Sequence, residues 1–105
     1  RSFHTGTRQP QLSPDTVADG LRTSLGRLNF DIIRQAVDDI LTVDDQTILQ
    51  AMRLVWTRMK LVIEPSAAVG LAVALAHPDQ FAGRRVAVVL TGGNVDIDRL
   101  PWAAD

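Results

Sequence analysis

The stretch Arg85-Val86-Ala87-Val88-Val89-Leu90-Thr91-Gly92-Gly93-Asn94-Val95-Asp96 decides how the rest of this 105-residue chain is read. Its first half is a short, continuous apolar run rich in β-branched residues, the pattern of a strand buried on both faces beneath helices. Its second half puts a hydroxyl, two glycines and an amide at the carboxyl end of that strand, where open α/β sheets bind their ligands. Paired glycines let backbone approach a ligand where a Cβ would collide. Thr91 offers a hydroxyl, and Asn94 both a donor and an acceptor. On this segment alone, a Gly-Gly turn that closes a strand is the simpler reading.

The residues just upstream say what such a strand packs against. Ser66-Ala67-Ala68-Val69-Gly70-Leu71-Ala72-Val73-Ala74-Leu75-Ala76 carries no charge on any face, so a helix here has to be covered all round. Pro65 suits the first position of that helix. Glu64 precedes it, a carboxylate at the positive end of the helix, which serves equally as a helix-start acid or as part of a site. Before it, Ile48, Met52, Val55, Met59 and Val62 recur at spacings of four and three, one face of a long helix that Leu49 and Trp56 widen and that Asp44 or Asp45 caps. Arg53, Arg58 and Lys60 fall largely outside that face and read as a solvated flank. His77-Pro78-Asp79-Gln80 and Gly83 connect the apolar helix to the strand.

Further towards the N-terminus the pattern weakens. Asn29 is the expected cap of a helix through Phe30, Ile32, Ile33 and Val37, and Ile40-Leu41-Thr42-Val43 is short and β-prone. Gly20 and Gly26 interrupt residues 16–26, which read as a turn or irregular segment. Asp19 stands between Ala18 and Gly20, and its ordinary role there is a cap or Asx-turn. Residues 1–14, with Gly6, Pro10 and Pro14 among polar neighbours, read as an extended linking segment, and residues 15–105 as the folded unit.

Bulk composition narrows the function classes. The chain is 46% hydrophobic and 22% charged, with 11 basic and 12 acidic residues. A net charge of −1 gives no electrostatic case for nucleic acid. There is no cysteine, so thiol catalysis, disulfides and thiolate metal sites are excluded, and a reducing cytoplasmic setting is expected. No signal-peptide pattern opens the sequence, and the longest apolar stretch, 67–76, is about half of what spans a bilayer. The only lysine is Lys60, the two histidines are far apart, and no phosphate-binding loop or metal-ligand cluster is present. Catalysis by these residues unaided is not expected.

The inventory is also incomplete. Two short strands do not make a covered parallel sheet, and the apolar helix needs neighbours on every side. The start without methionine fits part of a longer chain, and equally a tag or processing. An isolated piece of this kind is expected to expose a large apolar patch.

Four segments in this order, Thr16-Val17-Ala18-Asp19-Gly20, Val37-Asp38-Asp39-Ile40, residues 59–70 from Met59-Lys60 through Glu64-Pro65-Ser66 to Gly70, and 90–96 from Leu90 to Asp96, carry a resemblance. Over nearly all of residues 10–102 the chain resembles the C-terminal third of the serine racemase and threonine/serine dehydratase family, the fold-type II pyridoxal-phosphate enzymes. That resemblance implies an α/β fold, part of the larger parallel-sheet domain, in which two domains sandwich the cofactor. It places the Schiff-base lysine, a ring-contacting asparagine and the phosphate loop upstream of residue 1, so the chain holds no catalytic lysine of its own. It makes Thr91 the partner of the pyridine nitrogen, Gly92 and Gly93 the close-approach backbone, Asn94 the support of the turn and Glu64 an acid near the ring. Asp19 becomes an acid beside the substrate pocket, with Gly20 its close-approach neighbour. A hydroxyl opposite the pyridine nitrogen implies a weaker electron sink than a carboxylate would give, which suits elimination of water from serine, threonine or 3-hydroxyaspartate, with racemisation the neighbouring outcome. Divalent-cation ligands (Mg or Ca) are expected just upstream of residue 1, and a homodimer is the expected assembly. Because the chain stops soon after Asn94-Val95-Asp96, the short racemase-like or catabolic branch is expected over enzymes with a regulatory domain. The competing expectation is a non-catalytic, truncated interaction module, which predicts a stable, oligomerising piece that binds no cofactor.

Overall fold

Five α-helices and two 3-10 turns form among residues 1–103, the residues that the computed structural model describes; Ala104 and Asp105, the end of the 15–105 unit, lie outside them. The N-terminal segment is not extended throughout, contrary to expectation. Ser2–Thr5 forms a one-turn helix, α1, ended by Gly6 in the left-handed region (φ 71). It packs on α2 (Arg27–Ala36), and His4 Nε2 lies 3.1 Å from Asp39 Oδ1. A Phe3 with a helix to cover is the physical reason for the difference: half-burying its ring needs a local fold. α2 starts one turn earlier than Asn29 would allow. Gly26 stands at its N-cap and Asn29 lies inside the first turn, so Phe30 turns inward while Leu28 and Ile32 remain exposed.

The core is a helix pair. α3 (Asp45–Met59) buries Ile48, Ala51, Met52 and Val55 against Ala67, Ala68 and Ala72 of α4 (Pro65–Ala76). Alanines on α4 let the two backbones approach, and the larger α3 side chains fill the space between. Pro65 occupies the first turn of α4 as its fixed φ allows. The periodic face of α3 ends sooner than the spacing suggests, because Lys60 takes a left-handed conformation (φ 57) and stops the helix. Val62 is therefore outside the helix, and Met59 and Val62 are exposed. A short helix, α5 (Pro78–Phe81), occupies the connection after His77.

Asp44 is the cap of α3, its Oδ1 accepting the Thr47 N–H at 2.7 Å. That hydrogen bond holds the Asp44 carboxyl below the usual carboxylate range. A carboxyl with a depressed folded pKa contributes stability above its unfolded pKa, and loses it as pH falls through the folded value. Acidification below the ordinary carboxylate range is thus expected to loosen the first turn of α3, read as faster amide exchange at Thr47. Asp44→Asn keeps a capping oxygen and should abolish the acid sensitivity; an unchanged acid response in that variant would contradict this assignment.

No strand is formed among the described residues, so the parallel sheet expected from 40–43 and 85–90 is not present here. The physical reason is the one the composition anticipates: a strand is defined by its ladder, and neighbours for a buried strand are not supplied by this chain. Segments 60–64 and 84–96 are without helix or turn up to Asp96, and one backbone bond links them, from Glu64 N–H to Gly92 O at 3.0 Å. The apolar run lies open: Val86 is 46% and Val89 79% exposed. The Cα radius of gyration is 15.0 Å, above the ~13 Å of a compact domain this size, and the extents of 42 × 36 × 19 Å describe a slab. Among the described residues no helix is long and apolar enough to cross a membrane.

Candidate functional site

The site grows from Glu64-Pro65-Ser66, the entry to α4. Ile63, just before it, is buried, and its carbonyl accepts the Trp56 Nε1–H at 2.8 Å, which ties the approach to α4 onto α3. Trp102 stacks edge-on against Trp56 at 5.3 Å and closes that side. The position of Glu64 is thus fixed by the helix pair before any ligand is considered.

On one side of this entry lies the 91–94 segment, which is irregular and not the Gly-Gly turn that its sequence suggests, because it docks on residues 62–64 instead of closing on itself. Glu64 donates its N–H to Gly92 O, and Glu64 Oε1 accepts the Asn94 N–H at 3.4 Å. The approach requires a glycine at 93, where the neighbour is backbone, whereas a side chain at 92 would displace the Glu64 carboxylate. A Cβ on Gly92 would lie 2.6 Å from Glu64 Oε1, and one on Gly93 2.7 Å from the Val62 carbonyl oxygen. Asn94 fastens the segment to Glu64 through its backbone N–H, not through a turn; its exposed side chain makes no hydrogen bond among the described residues. Thr91 is exposed, and its hydroxyl is free of hydrogen bonds among them.

On the other side lies the 3-10 turn Asp19–Leu21. Gly20 donates its N–H to Ser66 Oγ at 3.0 Å, and a Cβ on Gly20 would lie 2.9 Å from that oxygen. The turn is held from behind by α3: Asp45 accepts the Thr16 hydroxyl at 2.6 Å and the Val17 N–H at 3.0 Å. Asp45 therefore anchors the loop, and leaves the capping of α3 to Asp44. Ala18 is fully buried at the pivot, whereas Asp19 stays exposed with its carboxylate in solvent.

Every residue singled out from the sequence, Asp19, Gly20, Glu64, Thr91, Gly92 and Asn94, thus gathers at the entry to α4. Ser66 and Asp45 were missed as contributors. Their partners stand 46 and 28 or 29 residues away, beyond any local pattern; a serine in the first turn after proline was the single available signal. The arrangement is an open wall. Clefts lie elsewhere, of about 330 Å³ between Gln9 and Leu25, about 280 Å³ beside Asp31 and Arg34, and about 240 Å³ between Arg53 and Trp102, and none of these three is lined by these residues. Among the described residues no group of carboxylates and histidines could hold a metal.

The comparison with known families is decisive here. The family described as pyridoxal-phosphate dependent enzyme matches residues 1–92. This chain belongs to that family. It is 47% identical over 102 residues to a beta-hydroxyaspartate dehydratase of Paracoccus denitrificans, covering 97% of this chain and 32% of that protein. It is 46% identical over 101 residues to serine racemase of Rattus norvegicus, covering 92% and 30%. A crystal structure of threonine deaminase from T.th. superposes with a TM-score of 0.85 at 44% identity, covering 91% of this chain and 35% of that one. The chain therefore spans about a third of the length of the pyridoxal-phosphate enzymes it matches, and its fold is part of a larger one.

The residues present fit one face of that cofactor. The Thr91 hydroxyl, exposed and uncommitted, has the donor that an aromatic ring nitrogen requires. Gly92 and Gly93 turn their Cβ positions towards Glu64 and Val62, which draws the segment onto the entry to α4, and Glu64 holds it there through the Gly92 carbonyl and the Asn94 N–H.

Proposed function

We propose that the chain is the C-terminal third of a pyridoxal-phosphate-dependent ammonia-lyase or racemase acting on serine, threonine or 3-hydroxyaspartate. The observation that carries this reading is the pairing of the 91–94 segment and the Asp19–Leu21 turn on either side of Glu64-Pro65-Ser66. The relatives add weight, since they are dehydratases, deaminases and racemases of hydroxy amino acids.

Pyridoxal phosphate, when bound, supplies an electron sink for negative charge at the substrate α-carbon. The protein residues set how that sink behaves. Thr91 binds the pyridine nitrogen through its hydroxyl, which, unlike a carboxylate, does not hold the nitrogen protonated. Gly92 would bring backbone close to the ring, and Glu64 would lie beside it while holding the 91–94 segment. Asp19, on the opposite turn and with its carboxylate free, faces the β-hydroxyl side of the substrate, with Gly20 holding the backbone close. A weaker sink favours loss of the β-hydroxyl over other fates of the substrate.

The same reading includes the rest of the enzyme. Upstream sequence supplies the Schiff-base lysine, the phosphate loop and, for a divalent cation such as Mg or Ca, its ligands; with those neighbours, 85–90 becomes a strand of a parallel sheet in the larger domain. The complete enzyme is a cytoplasmic homodimer in this view. Incubating the full-length protein with L-serine, L-threonine and 3-hydroxyaspartate, and scoring ammonia and D-isomer, tests it. Release of ammonia or formation of D-isomer from one of the three is expected, and absence of both from all three would refute the proposal.

A further inference from the structure

The entry to α4 holds the 91–94 segment and the Asp19–Leu21 turn at once, and Ser66 is the side chain that binds the second of them. Ser66 is the second residue of α4, two positions after Glu64. A serine near a helix start commonly serves its own backbone. Here its Oγ instead accepts the Gly20 N–H across 46 residues of sequence. The fit is tight: a Cβ on Gly20 would meet Ser66 Oγ at 2.9 Å and Ser66 Cβ at 3.2 Å, so the turn is pressed directly onto the serine. The hydrogen bonds of the loop divide its anchoring between two helices. Asp45 at the start of α3 holds Thr16 and Val17 ahead of the buried Ala18, and Ser66 at the start of α4 holds Gly20 behind it. Asp19 lies between the two anchors and makes no side-chain hydrogen bond among the described residues. Glu64, next to Ser66 but for Pro65, binds the 91–94 segment, and Pro65 between them fixes one backbone angle.

We infer that Ser66 is a positioning residue that sets the place of Asp19 relative to Glu64 and Thr91, and so couples the substrate side of the site to its cofactor side. This inference rests on the proposed function for what Asp19 faces, whereas the latch itself does not. Without the Ser66 hydroxyl, the Gly20 N–H turns to water, since the pair is solvent-exposed, and the Asp19–Leu21 turn is released from α4 while Asp45 still retains its other end. The change is a loss of alignment with little loss of fold. A misplacement of about 1 Å in a positioning contact costs on the order of 10²-fold in rate.

The test uses the full-length enzyme as Ser66→Ala and Ser66→Thr. In Ser66→Ala, Gly20 amide exchange is expected to accelerate, kcat/KM for the best hydroxy amino acid to fall about ten- to a hundredfold, and the visible absorbance of bound cofactor to stay as in the parent. Ser66→Thr, which keeps the hydroxyl, is expected to restore both the exchange protection and most of kcat/KM. Unchanged Gly20 exchange in Ser66→Ala would overturn the latch. Accelerated exchange with unchanged kcat/KM, or a threonine variant as impaired as alanine, would overturn the positioning role. A parent enzyme with no activity on any hydroxy amino acid would instead sink the proposed function, and with it the catalytic consequence, while the exchange measurement still judges the latch.

Discussion

Gly93→Ala in the full-length enzyme is expected to destabilise the protein by about 1–3 kcal/mol, the usual cost of overpacking, and to weaken cofactor binding at least about tenfold, which corresponds to ~1.4 kcal/mol. The new Cβ would lie 2.7 Å from the Val62 carbonyl oxygen and 3.5 Å from its carbon. The obstacle is backbone, so no side-chain rotation relieves it. Nor is the 61–64 segment free to retreat. Ile63 is buried with its carbonyl bound to Trp56, and the Glu64 N–H is bound to Gly92. The 91–94 segment has to move instead, and it carries Thr91 with it. Denaturant midpoints and titration of the apoenzyme with pyridoxal phosphate read the two effects. Gly26→Ala is the control for affinity, because the nearest atom to its Cβ is Asn29 Oδ1 at an ordinary 3.6 Å. Wild-type stability and affinity in Gly93→Ala would contradict the close approach of the two segments.

The second large effect is chemical. Thr91→Asp is expected to change how the reaction divides more than it changes cofactor affinity. Thr91 is exposed, so a carboxylate of similar size meets no steric obstacle. Opposite a ring nitrogen it favours the protonated form and strengthens the electron sink, because an opposite charge at close range stabilises the charged state. Negative charge at the α-carbon is then held longer, and its reprotonation gains on departure of the β-hydroxyl. The ratio of ammonia to D-isomer should fall about tenfold, a shift of ~1.4 kcal/mol between the two barriers. An unchanged ratio, with cofactor bound, would remove Thr91 from the ring nitrogen.

What local pattern can encode was legible in the sequence, and what depends on distant partners was not. The four-and-three spacing of Ile48, Met52 and Val55, the uncharged run after Pro65 and the acid before Thr47 each act within a turn or two, and α3, α4 and the Asp44 cap follow from them. The end of α3 was misjudged because the apolar spacing runs on to Val62, whereas the left-handed Lys60 breaks the helix and no composition rule marks it. The Asn29 cap failed because Gly26 offers an earlier start that buries Phe30. The expected strand at 85–90 has the right residues and no ladder, since pairing is a property of neighbours and a third of an enzyme does not contain them. The site shows the same division. Gly92, Gly93 and Gly20 were visible as glycines next to polar groups, yet the reason each is a glycine is a contact with Glu64, Val62 or Ser66 that only the fold creates. Ser66 and Asp45 act entirely through such contacts.

If the 91–94 segment, docked on Glu64, forms the nitrogen-side wall of a pyridoxal-phosphate site, a crystal structure of the full-length enzyme with cofactor bound will show it most directly. The Thr91 hydroxyl oxygen is expected within hydrogen-bond distance of the pyridine nitrogen, about 2.7–3.2 Å, with Glu64 still holding the Gly92 carbonyl and the Asn94 N–H. A pyridine nitrogen contacted by a different residue, with Thr91 turned towards solvent, would contradict it.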